Sequence, residues 1–213
     1  PCICAVQIGL AKLWMDRGVV PSAVVGHSVG EVAAAYCSRL ITLEQATRLI
    51  YIRSRQLKKT SGSGSMLAIL HPVEKVKEHM RRSRLSNSLD IAAINSPNQI
   101  VLSGDIESVE NIESELKTSG IKCVKLKVSN AFHSRHQEPL RNPFKRKLSS
   151  FLKGNKPLDH RNELPLTNII PMMSTVTTRY LSTEEAQSTE YWWHNIRQQV
   201  CFQTSIEKLL HEG

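Results

Sequence analysis

The run of residues 24–31, Val-Val-Gly-His-Ser-Val-Gly-Glu, constrains the fold of this chain more than any other segment. A short β-prone segment precedes Ser28 and helix-forming residues follow it, which predicts a strand, a sharp turn and a helix. Gly26 and Gly30 flank the serine, and we expect glycine at both because neighbouring backbone passes too close for a Cβ. Glu31, in the first helical turn, is favoured by the helix dipole. The run therefore predicts a nucleophile elbow with the Ser28 hydroxyl exposed.

The composition limits the class of protein. A chain of 213 residues, 40% of them hydrophobic, can bury one substantial core. None of its apolar runs approaches the roughly 18 residues that cross a bilayer, so we expect no membrane partner. The five cysteines are odd in number and lack C-x-x-C spacing, so we expect no disulfide framework, no metal site and a reducing, cytoplasmic setting. The net charge of +9 leaves a phosphate-bearing cofactor, an acidic protein and nucleic acid open as partners.

The pattern between residues 65 and 128 predicts a ferredoxin-like βαββαβ unit. Its predicted elements are a strand at 66–70, a helix at 73–84, strands at 91–94 and 100–102, a helix at 109–116 and a strand at 121–128. The unit contains no Phe, Tyr or Trp on which bases could stack, so we expect no nucleic acid partner. The predicted fold class is α/β: residues 1–64 and 129–213 form a larger, α/β-hydrolase-like domain with a parallel sheet and the elbow, into which residues 65–128 are inserted as a subdomain.

The elbow serine needs a base and a donor for an oxyanion. The N–H of Val29, directly after the serine, is expected to point toward an oxyanion formed beside it. Among the eight histidines, His27 adjoins the serine on the turn and is expected to point away from it. Five others lie in the predicted subdomain or in polar surroundings: His71, His79, His160, His194 and His211. His133 and His136 lie where the chain returns to the larger domain and are the remaining candidates for the base. From spacing alone, either histidine is equally well explained as a surface loop residue. The apolar neighbour Phe132 favours His133 as the base.

Arg53 carries an independent argument. It lies in the middle of the apolar face of a helix predicted over residues 45–57, whereas Arg48 and Arg55 lie on the opposite face. A guanidinium directed inward is costly unless an anion or a hydrogen-bond network meets it. The side chain is therefore either a clamp for a ligand carboxylate or phosphate, or a structural ion pair or snorkelling residue.

Together these motifs resemble the acyltransferase domain of type I polyketide and fatty acid synthases, within the malonyl-CoA:acyl carrier protein transacylase superfamily. The resemblance covers essentially the whole chain. Arg53 lies 25 positions after Ser28 and His133 lies 105 positions after it, in keeping with that family. The matching segments are GHSVGE at 26–31, YIRSR at 51–55, AINSP at 93–97, VLSG at 101–104, AFHS at 131–134 and YWWHNIR at 191–197, followed by Val200 and Phe202.

The resemblance implies a reaction and its partners. His133 takes the Ser28 proton as the serine attacks the thioester of an acyl-CoA, and the Val29 N–H stabilises the oxyanion. The base is oriented by a backbone oxygen rather than a carboxylate. The acyl group then passes to the phosphopantetheine thiol of an acyl carrier protein. The domain itself binds no cofactor, and its partners are malonyl-CoA or a related acyl-CoA and the carrier protein and ketosynthase domains of the same polypeptide.

The resemblance also implies a substrate class. Arg53 holds the malonyl carboxylate, and His27 and Phe132 belong to the substrate site. The ring of Phe132 is typical of malonyl rather than methylmalonyl selection, whereas Asn130 stands where malonyl-type relatives often carry histidine.

Two departures from the family and three other functions bear on this prediction. No G-Q-G strand, whose glutamine contributes to the oxyanion hole, precedes Ser28, and the usual C-terminal segment is absent, so we expect a fragment of a longer polypeptide. A malonyl/acetyltransferase of a fatty acid synthase remains open. A serine hydrolase (thioesterase) would share the elbow, but explains neither the inserted subdomain nor the inward Arg53. A non-catalytic fragment that docks a carrier protein is the third alternative.

Overall fold

A computed structural model describes residues 1–154 and 169–212. Residues 155–168 of the predicted larger domain, with His160, and Gly213 lie outside the described residues. The helices and strands in chain order are α1 (Cys2–Asp16), β1 (Val24–Val25), α2 (Gly30–Cys37), α3 (Leu43–Leu57), β2 (Ser65–Ile69), α4 (Val73–Arg82), β3 (Leu89–Ser96), β4 (Gln99–Gly104), α5 (Ile106–Thr118), β5 (Cys123–Lys125), α6 (Arg141–Gly154), β6 (Met172–Met173), α7 (Thr183–Ala186), α8 (Thr189–Arg197) and α9 (Phe202–Glu212). No helix in the described part is both long and apolar enough to cross a membrane.

The parallel sheet of the larger domain lies at the elbow. β1 and β6 pair in parallel, with Val24 opposite Met172 and Val25 opposite Met173. Apolar side chains of the surrounding helices form one buried cluster, in which the rings of Phe144 and Trp193 lie 6.4 Å apart. Because the side chain of Met172 belongs to this cluster, the core holds in place the sheet from which the elbow emerges.

Residues 65–125 form the four-stranded antiparallel sheet expected for a ferredoxin-like unit. Its strand order is β3-β4-β2-β5, and α4 and α5 contribute Val76 and Ile112 to a separate apolar core. The element order and the α/β fold class are confirmed. The predicted helix over 73–84 ends at Arg82 because Arg84 adopts a left-handed backbone conformation with φ of 55°. The last strand covers only Cys123–Lys125, the three residues that pair with β2.

A short extended segment joins the two parts of the molecule. The Val200 N–H donates to the Ala92 carbonyl, and the Ile94 N–H donates to the Val200 carbonyl, both at 2.9 Å. Val200 thus pairs in parallel alongside β3, at the edge of the ferredoxin-like sheet. The next residue, Cys201, donates its N–H to the Thr175 carbonyl of the larger domain at 2.8 Å. Backbone hydrogen bonds therefore hold this segment on both sides.

Helix α3 carries the inward arginine. The helix begins after Thr42, whose hydroxyl accepts a hydrogen bond from the Gln45 N–H at 3.1 Å while the Gln45 side chain accepts from the Thr42 N–H at 2.9 Å. Arg53 is buried, and Arg48 and Arg55 are exposed. The amphipathic pattern therefore predicted both the helix and the orientation of its three arginines.

Candidate active site

The elbow holds Ser28 in a strained backbone conformation. Its φ is 53°, in the left-handed region that few residues other than glycine adopt. A Cβ on Gly26 would lie 2.3 Å from the Glu31 nitrogen, so only glycine fits beneath the start of α2. At Gly30 a Cβ would meet only the Gln7 side chain, at 3.5 Å, which is ordinary contact. The prediction that Gly30 is sterically required is therefore wrong, because this residue already lies in regular helix.

Ser28 and His133 form a hydrogen-bonded pair. The Ser28 Oγ lies 2.6 Å from His133 Nε2, and His133 Nδ1 lies 2.8 Å from the Gln198 carbonyl oxygen. Because a carbonyl can only accept, Nδ1 carries the proton of the neutral ring and Nε2 presents its lone pair to the serine hydroxyl. A backbone oxygen thus orients the ring, in the arrangement that a base for Ser28 requires.

The surroundings of His133 keep the ring neutral. Its side chain is buried, and burial together with the charge of Arg53 lowers its pKa to about 3. At neutral pH the ring is therefore unprotonated and able to accept a proton. His136 is placed elsewhere, with its Nε2 2.8 Å from the Asp105 carboxylate, so of the two candidates only His133 reaches the serine.

Arg53 extends toward the nucleophile from α3. Its Nη2 donates to the Ser28 Oγ at 3.3 Å, and its Nη1 donates to the Asn195 side-chain oxygen. Burial lowers its pKa to about 10, and the negative charge of Glu31 opposes that change, so the guanidinium is charged at neutral pH. Within the described residues it forms no ion pair with a carboxylate. The guanidinium is therefore a buried cation with one edge directed at the serine.

The other predicted site residues occupy distinct positions. No acceptor among the described residues binds the Val29 N–H, which lies between Ser28 and the N-terminus of α2. His27 is exposed, and its Nε2 lies 2.8 Å from the Asn95 side-chain oxygen of the ferredoxin-like unit. Phe132 is half-buried against a cluster that combines side chains of that unit with Val200. Asn130 is buried and donates to the Leu57 carbonyl at 2.8 Å, which ties it to the end of α3.

Three residues that the sequence arguments did not assign to the site support it. Gln198 supplies the carbonyl for His133, Asn195 contacts both Arg53 and the Ser28 carbonyl, and Glu31 lies behind Asn195. Asn195 and Glu31 both occur in segments that match the acyltransferase family. From the sequence, the helix dipole alone accounts for an acidic residue at position 31, so no place in the site was predicted for Glu31. Its complete burial distinguishes it from a helix-terminal surface residue.

An open groove of about 590 Å³ lies beside His133. It runs between the ferredoxin-like unit, represented by Asp90, and the segment that begins at Arg197. Arg135, which also lines it, donates its Nε hydrogen to the Asp90 carboxylate at 3.1 Å. Of the Ser28–His133 pair, His133 lines this groove.

The chain matches one protein family along its full length. The family described as acyl transferase domain covers residues 1–213. The polyketide synthase GfsB of Streptomyces halstedii is 35% identical over 213 residues, and the erythronolide synthase EryA3 of Saccharopolyspora erythraea is 33% identical over 214 residues. Each alignment covers 100% of this chain, which spans only 4% and 6% of those proteins.

Solved structures show the same fold. The acyltransferase domain from module 8 of the salinomycin polyketide synthase gives a TM-score of 0.86 at 29% identity, covering 99% of this chain and 46% of that one. A loading acyltransferase from the avermectin modular polyketide synthase gives a TM-score of 0.81 at 30% identity, and the match covers 99% of this chain and 63% of that one. The acyl transferase domain of SpnD, in complex with 2-(pent-4-yn-1-yl)malonyl, gives a TM-score of 0.80 at 25% identity, and the match covers 96% of this chain and 46% of that one.

Proposed function

Because this chain belongs to the acyl transferase domain family, we propose that it moves an acyl group from coenzyme A, through an ester on Ser28, to the phosphopantetheine thiol of an acyl carrier protein. The observation that carries the proposal is the array around the elbow. A serine in strained conformation hydrogen-bonds to a neutral histidine whose other nitrogen is held by a backbone carbonyl, with an arginine 3.3 Å from the same hydroxyl.

The first half-reaction loads the serine. The Ser28 Oγ attacks the thioester carbonyl carbon as its proton moves to His133 Nε2, and the Val29 N–H donates to the resulting oxyanion. When the tetrahedral intermediate collapses, the carbon–sulfur bond breaks. The departing sulfur takes the proton from His133, and coenzyme A leaves as a thiol.

The second half-reaction repeats these steps with a different nucleophile. The carrier thiol gives its proton to His133 Nε2 and attacks the Ser28 ester, and the carbon–oxygen bond then breaks. Ser28 recovers its proton from His133. The groove beside His133 is the approach that we assign to the pantetheine arm, since it is the open space next to the base.

We propose a malonyl-type acyl group. A buried guanidinium that lacks a carboxylate partner among the described residues and faces the acylated oxygen suits an acyl chain ending in a carboxylate. The half-buried ring of Phe132 favours malonyl over a branched extender unit. The His27 ring lies 5.3 Å from that of Phe202, which packs against the same cluster as Phe132. A malonyl derivative is also named in the SpnD complex, which supports the same substrate class.

The partners follow from the relatives. Both curated proteins described above are polyketide synthases that are much longer than this chain. We therefore assign the carrier protein and ketosynthase partners to the same polypeptide, with a fatty acid synthase as the alternative assembly. We propose a reducing, cytoplasmic setting, which the odd number of cysteines and the lack of C-x-x-C spacing favour.

Mass spectrometry after incubation with malonyl-CoA tests the proposal. We expect a malonyl ester on Ser28 that disappears when a pantetheinylated carrier protein is added and appears on the carrier. Ser28→Ala removes the acceptor oxygen, and His133→Ala removes the base, so neither should be loaded. Steady release of free malonate would instead identify a hydrolase. A folded chain with neither an adduct nor hydrolysis would support the non-catalytic alternative.

A further inference from the structure

A fully buried carboxylate lies behind the site and has no role in the acyl transfer steps. Glu31 is 0% exposed, and each of its oxygens accepts two hydrogen bonds. One oxygen accepts from the N–H and the hydroxyl of Thr175, at 2.6 and 2.9 Å, and the other accepts from the Tyr191 hydroxyl and the Asn195 amide, at 2.7 and 2.8 Å. Burial raises the pKa of Glu31, and the four hydrogen bonds, which stabilise the ionised carboxylate, oppose that effect.

The side chain of Asn195 separates this carboxylate from the guanidinium. Its oxygen accepts from Arg53 Nη1, while its amide nitrogen donates to Glu31 at 2.8 Å and to the Ser28 carbonyl at 3.1 Å. Asn195 is 1% exposed, so no water shell screens these contacts. The Asn195 amide thus bridges the buried guanidinium and the buried carboxylate, with a hydrogen bond to each.

A direct ion pair would change the chemistry of the site. A carboxylate bound to the guanidinium fork would neutralise the cation and occupy the donors that a ligand carboxylate needs. With the amide between them, the charge of Glu31 still stabilises the buried cation at a distance, because electrostatic attraction acts across the low-dielectric interior. Arg53 therefore remains charged and directed at Ser28 without being paired.

We propose that Asn195 is a specificity-determining positioning residue: it keeps the Glu31 carboxylate from pairing with Arg53 and so leaves the guanidinium available to the carboxylate of the acyl group. This inference rests on the proposed transfer of a malonyl-type group. Removing the spacer is expected to let the long arginine side chain move onto Glu31. The site would then lose its preference for acyl groups that carry a terminal carboxylate.

The ratio of kcat/KM for Ser28 loading from malonyl-CoA to that from acetyl-CoA is the readout. Acetyl loading uses the same serine and base but offers no carboxylate, so general damage to the elbow lowers both rates and leaves the ratio unchanged. For Asn195→Ala we expect the ratio to fall by about 10- to 100-fold, the range for losing one or two hydrogen bonds to a charged group. Asn195→Ser, which keeps a small polar side chain, serves if the alanine variant does not fold.

The double variant Asn195→Ala with Glu31→Gln makes the test decisive. The double variant has no carboxylate at position 31 for Arg53 to pair with, so we expect its malonyl-to-acetyl ratio to be at least about fivefold higher than that of Asn195→Ala. If the network were merely structural, the second change would damage it further and the ratio would not recover. Glu190→Gln is the matched control. It is the same chemical change on α8, where the carboxylate pairs with Arg141 at the surface, and should keep the original ratio.

Three outcomes separate the hypotheses. A reduced ratio in the single variant with recovery in the double variant supports the spacer role. An unchanged ratio in Asn195→Ala, or a double variant no better than the single one, overturns it while the original chain still loads malonyl. Failure of the original chain to load Ser28 from either thioester counts against the proposed function itself.

Discussion

Replacing Arg53 with alanine provides a quantitative test of the carboxylate clamp. The guanidinium donates to the Ser28 Oγ from 3.3 Å, so an acyl group on that oxygen lies beside it. Two hydrogen bonds between the guanidinium and a carboxylate, each contributing about 1.5 kcal/mol or more, give a loss of about 3 kcal/mol for malonyl. That free energy corresponds to about a hundredfold lower kcat/KM for malonyl loading.

Acetyl loading should respond differently to Arg53→Ala. Acetyl has no carboxylate to lose, and removal of the arginine charge makes the neighbouring His133 more basic, since that charge contributes to its lowered pKa. We therefore expect acetyl loading to change by less than about fivefold. The assay is quenched-flow mass spectrometry of the Ser28 ester formed from each thioester, with Arg55→Ala, an exposed arginine on the same helix, as the control. Equal losses for both acyl groups would refute the clamp.

Three further predictions concern stability. Burial lowers the His133 pKa from an ordinary 6.5 to about 3, so between these pH values the unfolded chain binds a proton that the folded chain does not, and the free energy of unfolding falls as the pH drops. In urea unfolding, the decrease in this free energy between pH 7 and pH 5 should be about 2 kcal/mol smaller for His133→Gln than for the original chain. An equal decrease in both proteins would contradict the assigned burial effect. Gly26→Ala should lower the free energy of unfolding by about 3 kcal/mol or more because the new Cβ meets backbone, whereas Gly30→Ala should change it by no more than about 1 kcal/mol. Equal melting temperatures for the two variants would be inconsistent with this packing. Thr42→Ala should cost about 1 kcal/mol through loss of the cap of α3 and leave the malonyl-to-acetyl ratio unchanged; a shift in that ratio would show that α3 moves as a whole.

Local patterns determined much of the fold. Hydrophobic periodicity reports which face of an element is buried, so it predicted α3 with its inward Arg53 and the βαββαβ order of the inserted unit. The glycine-rich run predicted the turn at Ser28, because the strain of a left-handed residue between a strand and a helix is a property of a few neighbouring residues. The terminal residues of α4 and β5 were less well predicted, since capping and pairing partners set where an element ends.

Only the tertiary structure decided how the site is assembled. Loop residues His133 and His136 have similar local patterns, and the contact with Ser28, 105 residues away, distinguishes them. Glu31 and Asn195 are 164 residues apart in sequence, and their hydrogen bond has no local signature. A first-turn glutamate satisfies the helix dipole whether it is exposed or buried. Its burial and the amide between it and Arg53 arise because α2, α3 and α8 pack together and exclude water from the space between them. Two of its four donors come from Thr175, which follows β6.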